Sequence, residues 1–224
     1  KQPRQYSLSD SSTGQYLRIS VKNESPKAEG QDPGYVSSTL HNKVKENDVI
    51  ELSAPTGNFF LFNPEKTNVL ISAGIGLTPM MAMLNQLLTG NTDPNEKVTL
   101  WEKIKANFNK PEPKNPINFI HAVRNSRVHA MKETVQDLAK KHDNLNVFVA
   151  YEQTDSKDVL GRDYHAEGRL NLKQLDAKML PKDADYYLCG PIPFMQVQHK
   201  ALLELGIPAQ NIHSEAFGTG GVAL

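Results

Sequence analysis

Arg4-Gln5-Tyr6-Ser7 places three useful chemistries within four residues. The arginine offers a planar fork that fits a phosphate, the tyrosine a flat face for an aromatic ring, and the serine a donor for a ring heteroatom. In an extended chain Arg4 and Tyr6 point to one side, Gln5 and Ser7 to the other. A mixed surface strand would read the same way. In Gly34-Tyr-Val-Ser-Ser-Thr-Leu-His41, a glycine and a Ser37 cap before a short helix would aim free N–H groups at an anion, or simply end a linker.

Two further segments share one design. Asn68-Val-Leu-Ile-Ser72 runs into Ala73-Gly-Ile-Gly-Leu-Thr-Pro-Met80, a strand feeding a glycine turn that opens a helix. Gly74 and Gly76 would leave no side chain between a pyrophosphate and the backbone; Thr78 would cap the helix and Pro79 suits its first turn. An ordinary strand-to-helix turn fits as well. Leu188-Cys-Gly-Pro-Ile-Pro-Phe-Met195 repeats the arrangement, with Cys189 either a small core residue or part of a site. Glu215-Ala-Phe-Gly218 ends the last predicted strand: its ring could cover a cofactor face and its carboxylate tune charge there, or the ring could close the core.

Several chemistries are excluded. There is no Gly-x-Ser-x-Gly, the seven histidines lack the His-Glu-x-x-His spacing, and Gly74–Pro79 has no P-loop lysine. With 25 basic and 25 acidic residues the chain has no field for a polyanion, so neither nucleic acid nor an acidic membrane is an expected partner. One cysteine permits no internal disulfide and fits a reducing, cytoplasmic setting. The apolar run 69–84 is too short and too broken to span a membrane. The chain opens on Lys1, so a natural N-terminus further upstream is expected.

Two textures position these segments. Residues 1–62 read as β structure, with strands over Tyr6–Leu8, 17–21, 48–52 and 59–61 and a turn at Ala54-Pro-Thr-Gly57. So few strands would bury little and leave open edges, so the other half of a barrel is expected upstream of Lys1. From 66 onward, strands at 68–72, 117–123, 146–151, 185–189 and 211–217 alternate with helices at 79–89, 129–141, 172–180 and 192–205. That order predicts a five-stranded doubly wound parallel sheet with ligands at the carboxyl ends of its strands.

Taken in order, RQYSLSDSSTGQYLRISVK, GYVSSTLHN, APTGNFFL, LISAGIGLTPM, FIHAVRNSRVHAMKE, YHAEGRL, YLCGPIPFM and IHSEAFG resemble the reductase region of flavohemoglobins, within the ferredoxin–NADP reductase-like superfamily. The resemblance implies part of an antiparallel Greek-key flavin barrel (1–63) followed by a pyridine-nucleotide domain (64–224). It implies that Arg4 contacts the FAD pyrophosphate, Gln5 completes that motif, Tyr6 packs on the isoalloxazine and Ser7 bonds near its hydride-accepting nitrogen. Val36 and Ser37 would hold FAD phosphate through their backbone. Gly74, Ile75, Gly76, Leu77 and Thr78, with Cys189, Gly190 and Pro191, would bind NADH or NADPH. Phe217 would lie over the flavin, flanked by Ala216, Gly218 and Thr219, with Glu215 close to the redox centre. The implied activity is hydride transfer from NAD(P)H to FAD, then single-electron steps to a haem held in an N-terminal globin domain of the same polypeptide, the whole converting nitric oxide to nitrate.

Three departures stand out. Residues 89–116 form an insertion with Trp101, Ile104 and Phe108 at helical spacing, expected to be a small helix packed back on the domain, with a partner-docking element as the alternative. Thr219-Gly-Gly stands where the family has proline. The missing strands would supply further flavin contacts. The competing readings are a stand-alone flavin, ferric or oxygenase-coupled reductase, and a non-catalytic nucleotide-binding module. Arg124, Asn125, Ser126 and Arg127, after the second strand, could meet a 2′-phosphate or be solvated; the nucleotide preference is left open.

Overall fold

The computed structural model of the chain describes residues 3–11, 15–24, 34–89 and 115–217. Gly218, Thr219 and most of the 89–116 insertion, including Trp101, Ile104 and Phe108, lie outside them.

Apolar runs with no polar alternation build a sheet covered on both faces. Its strands are β1 (Asn68–Ala73), β2 (Ile117–Val123), β3 (Leu145–Tyr151), β4 (Ala166–Glu167), β5 (Asp185–Gly190) and β6 (Ile212–Ala216), all parallel, in the order β4-β3-β2-β1-β5-β6. Every residue of β1 and β5 is buried. The expected five strands become six because Ala166 and Glu167 add a short edge beside β3.

Residue parity in β1 shows how the two faces are covered. Leu70 packs with Phe119 and Tyr187 under Met80, Met81 and Leu84 of α2 (Leu77–Thr89) and Val135 of α3 (Lys132–Lys141). Val69 and Ile71 pack with Tyr186 and Leu188 under Met195 and Leu202 of α4 (Ile192–Glu204). The crossovers therefore change face between β1 and β5, which makes that junction the switch point.

Some expected elements differ. Residues 172–180 form two 3₁₀ turns, Leu172–Gln174 and Ala177–Met179, because the Asn171 and Asp176 side chains accept from the N–H groups of Lys173 and Lys178 and restart the chain each time. The helix expected from 129 begins at Lys132, after Met131 takes a left-handed φ of 56°.

Among the described residues, the strands expected over Tyr6–Leu8, 17–21, 48–52 and 59–61 do not form ladders; a single antiparallel bridge joins Leu8 to Ile19. An alternating sequence becomes a strand only beside a partner, and among the described residues 48–52 has none: Val49 is 96% exposed and Leu52 70%. The 59–62 segment uses its rings instead. Phe59 meets Tyr187 edge-on, Phe62 stacks on His213 at 4.4 Å, and the Phe62 N–H donates to the Tyr187 hydroxyl. Residues 35–42 form the expected short helix, α1 (Tyr35–Asn42).

Candidate cofactor cleft at the carboxyl edge of the sheet

Strand register sets one level across the carboxyl edge. Glu215 lies beside Cys189, Cys189 beside Ser72, and Ser72 beside His121. Just beyond that level the chain leaves β1 and β5 through the two glycine turns.

The glycines of the first turn serve different ends. Gly74 takes a φ of +54°, which side-chain-bearing residues rarely adopt, and a Cβ built on it would meet nothing within 4 Å. It is exposed and faces open space. Gly76 faces protein: its Cβ would stand 2.2 Å from the Cys189 carbonyl oxygen. Its missing side chain lets the turn rest on β5, so of the two glycines Gly74 alone leaves open space beside the backbone. Gly190 is also tight, its Cβ position 3.0 Å from Phe194 and 3.2 Å from Ala73.

Residues 74–76 form a 3₁₀ turn that runs directly into α2 at Leu77. The helix thus starts before Thr78, and the threonine hydroxyl does not cap it but donates to the Ile75 carbonyl at 3.1 Å. Ile75 is half-buried while Leu77 and Thr78 are buried, so the turn offers a cofactor its backbone and the open face of Gly74. At the second turn Pro191 precedes α4.

Beside these turns sits the N-terminal segment. The Ser7 hydroxyl donates to Glu215 Oε2 at 3.3 Å, and a Cβ on Gly57 (φ +120°) would lie 3.9 Å from Glu215 Oε1. Asn85 of α2 donates to Asp10 Oδ1 at 2.8 Å, a second tie between that segment and the layered part. Burial raises the Glu215 carboxyl above its ordinary value and the Ser7 bond partly offsets it. Burial and the Glu215 charge push the Cys189 thiol far up, so it stays protonated, with its side chain in the core against α2. Phe217, two residues beyond Glu215, packs partly buried against that same cluster; Ala216 is half-buried, level with Gly190.

Arg4 and Gln5 are exposed and Tyr6 half-buried. Burial raises the Tyr6 phenol, Arg4 nearby lowers it and Glu24 raises it. Glu24 also donates its N–H to the Ser37 hydroxyl at 3.3 Å. Ser37 is not the helix cap: α1 begins at Tyr35, and the buried Ser37 hydroxyl donates back to the Gly34 carbonyl at 3.0 Å. The first helical bond runs from Ser38 N–H to Gly34, so the N–H groups of Val36 and Ser37 precede it.

One constellation carries no sequence motif. Ser72 Oγ lies 2.8 Å from His121 Nδ1, the His121 and His129 rings are 5.6 Å apart, and His129 Nδ1 lies 2.7 Å from the Tyr151 hydroxyl. Burial lowers His121 to about 3 and His129 to about 4, so both imidazoles are neutral at pH 7. A serine and a histidine late in two strands whose only other polar residues are Asn68 and Asn118 were the available signal. Among the described residues no group of three or more His, Cys, Asp or Glu side chains could hold a metal ion, and no helix is long and apolar enough to cross a membrane.

Comparison with known proteins agrees with this geometry. The family model for the oxidoreductase NAD-binding domain matches residues 70–200. Flavohemoproteins of Chromobacterium violaceum and Bordetella pertussis are 46% and 45% identical over 220 and 225 residues, or 97% and 99% of this chain. The chain spans about half the length of these curated relatives, 48% and 50%. The crystal structure of the flavohem-like FAD/NAD binding domain of nitric oxide dioxygenase from Vibrio cholerae superposes with a TM-score of 0.74 at 37% identity, covering 96% of this chain and 77% of that one. The chain belongs to the oxidoreductase NAD-binding family, as a flavohem-like FAD/NAD binding region of the flavohemoprotein kind.

Proposed function

We propose that the chain takes hydride from NAD(P)H onto FAD and passes single electrons to a haem, as the reductase part of a flavohemoglobin that converts nitric oxide to nitrate. One observation carries this reading: the Ser7–Glu215 contact joins the Arg4–Ser7 segment to the strand tip that bears Phe217, beside both glycine turns.

The residues present fit the two cofactors. The open face of Gly74, followed by the first turn of α2, suits a pyrophosphate. Ile75, Gly76, Leu77 and Thr78 complete that turn, and Gly190 and Pro191 line the opposite lip. Arg4 would reach the flavin pyrophosphate, with Gln5 completing the segment, while the N–H groups of Val36 and Ser37 would hold the same phosphates. Tyr6 would pack on one ring face and Phe217 guard the other, with Ala216, Gly218 and Thr219 shaping its approach. Bound FAD would supply the conversion between two-electron and one-electron chemistry.

The protein's own work is positional. Ser7 and Glu215 form a hydrogen-bonded polar pair that would face the redox centre, and the protonated Cys189 adds no competing charge beside it. Phe217, packed against the core behind it, would exclude water from the stacked rings. We assign residues 1–63 to a flavin barrel completed by strands outside this chain, 64–224 to the nucleotide domain, and an N-terminal globin to the same polypeptide. The exposed Val49 and Leu52 are what an uncompleted barrel would leave.

Anaerobic titration of the full-length protein tests this. NADH or NADPH should bleach the flavin band and then reduce the haem, and oxygenated protein should consume nitric oxide. Failure of both nucleotides to bleach the flavin would reject an enzyme; bleaching without a haem would leave a stand-alone reductase.

A further inference from the structure

The lip at the end of β2 carries four residues of mixed charge and polarity, Arg124-Asn-Ser-Arg127. In a doubly wound sheet the dinucleotide lies across the strand tips, its pyrophosphate over the first glycine turn. Here the nicotinamide half must run toward β5 and β6, where Glu215 and Phe217 lie. The adenosine half then runs the other way, to the tip of β2.

At that tip Arg127 is committed. Its Nε donates to Asp155 Oδ2 at 3.0 Å and its Nη2 to Asp155 Oδ1 at 3.1 Å, a two-toothed pair that uses the fork a phosphate would need. The pair is assembled by backbone. Glu152 N–H donates to the Val123 carbonyl and Gln153 N–H to the Arg124 carbonyl, so the loop after β3 is laced to the loop after β2. Asp155 N–H donates to Asp158 Oδ2 at 2.8 Å and Asp158 N–H to the Asp155 carbonyl at 2.9 Å, which fixes the turn from which Asp155 points. Arg124 has no ion-pair partner among the described residues and is exposed.

We propose that Asp155 is a positioning residue that sets the choice between NADH and NADPH. It occupies the Arg127 fork and brings a carboxylate to the place where a ribose 2′-phosphate would sit. NADH loses nothing by this, since its 2′-hydroxyl carries no charge. NADPH is left with Arg124 as its cation and meets Asp155 as a like charge. The inference rests on the nucleotide-reductase reading and specifies its substrate end.

The test compares full-length parent, Asp155→Asn, Asp155→Glu and the double variant Asp155→Asn with Arg127→Gln, each checked for flavin content. The readout is the ratio of kcat/KM for NADPH over NADH. Asp155→Asn should raise it roughly tenfold, the scale of one charge-assisted phosphate contact, through a lower KM for NADPH. Asp155→Glu should keep the parental ratio, and the double variant should fall back toward it. Inhibition by 2′-AMP should strengthen in parallel while inhibition by 5′-AMP does not. An unchanged ratio in Asp155→Asn, or an equal rise without Arg127, overturns the assignment. Flavin that neither nucleotide reduces in any variant would instead reject the reductase reading, and this one with it.

Discussion

Ser7 and Glu215, separated by 208 positions in the chain, meet through a 3.3 Å hydrogen bond in which the hydroxyl donates to the carboxylate. The bond ties the segment with the first aromatic ring of the proposed cleft to the strand tip with the last. Because Cys189 is level with Glu215 on the neighbouring strand, the same contact rests on a buried, uncharged thiol.

That pair sets a pH dependence. Glu215 lies above its ordinary carboxyl value through burial, and Ser7 stabilises its charged form. In full-length protein, the pH profile of flavin reduction by NADH should show an inflection above the usual carboxylate range. Ser7→Ala should move it upward and Glu215→Gln should abolish it. Stopped-flow rates across the acid range check this; a profile identical in all three proteins would detach Glu215 from the redox step.

The two turn glycines should fail differently. Gly76→Ala drives a methyl into the Cys189 carbonyl, so a stability loss of about 3 kcal/mol or more is expected, with pyridine-nucleotide turnover lost as the turn lifts off β5. Gly74→Ala costs about 1 kcal/mol of backbone strain and little packing, yet its methyl enters the open cleft and should raise KM for NADH. Thermal unfolding and steady-state kinetics on both variants separate the effects.

Cys189 should be chemically silent. Its side chain is fully buried and its thiol is held protonated, so a maleimide should label it only after denaturation. Mass spectrometry of native and urea-treated protein decides this, and rapid native labelling would show that β5 opens.

The two neutral imidazoles predict acid lability. A histidine lowered in the folded state binds fewer protons there than when unfolded, so its contribution is complete above about pH 6.5 and declines as the pH falls toward the folded value. For His129 that value is about 4, and each imidazole adds a slope of up to about 1.4 kcal/mol per pH unit in that window. His129→Gln should flatten the fall in urea midpoint between about pH 7 and pH 5. An equally steep loss in the variant would place the acid sensitivity elsewhere.

The layered half was largely legible in sequence because its strands are buried on both faces and so read as continuous apolar runs, as in Val69–Ile71 and Tyr186–Leu188. Where capping side chains competed with the helix, at Asn171 and Asp176, the periodicity misled. The N-terminal segments misled for another reason: Leu17, Ile19 and Val21 alternate as a strand would, but pairing belongs to two segments, and of the described residues in these segments only Leu8 and Ile19 bridge.

Local chemistry in the chain alone determined the strand-turn-helix units, the glycine positions and the chemically rich segments, since each depends on neighbours a few residues away. Tertiary structure decided what those residues face. It turned Gly76 toward a carbonyl and Gly74 toward open space, buried the Cys189 thiol, joined Ser7 to Glu215, and clamped Arg127 with Asp155. Such partners lie on other strands and loops, and register across a sheet, not spacing along one segment, selects them.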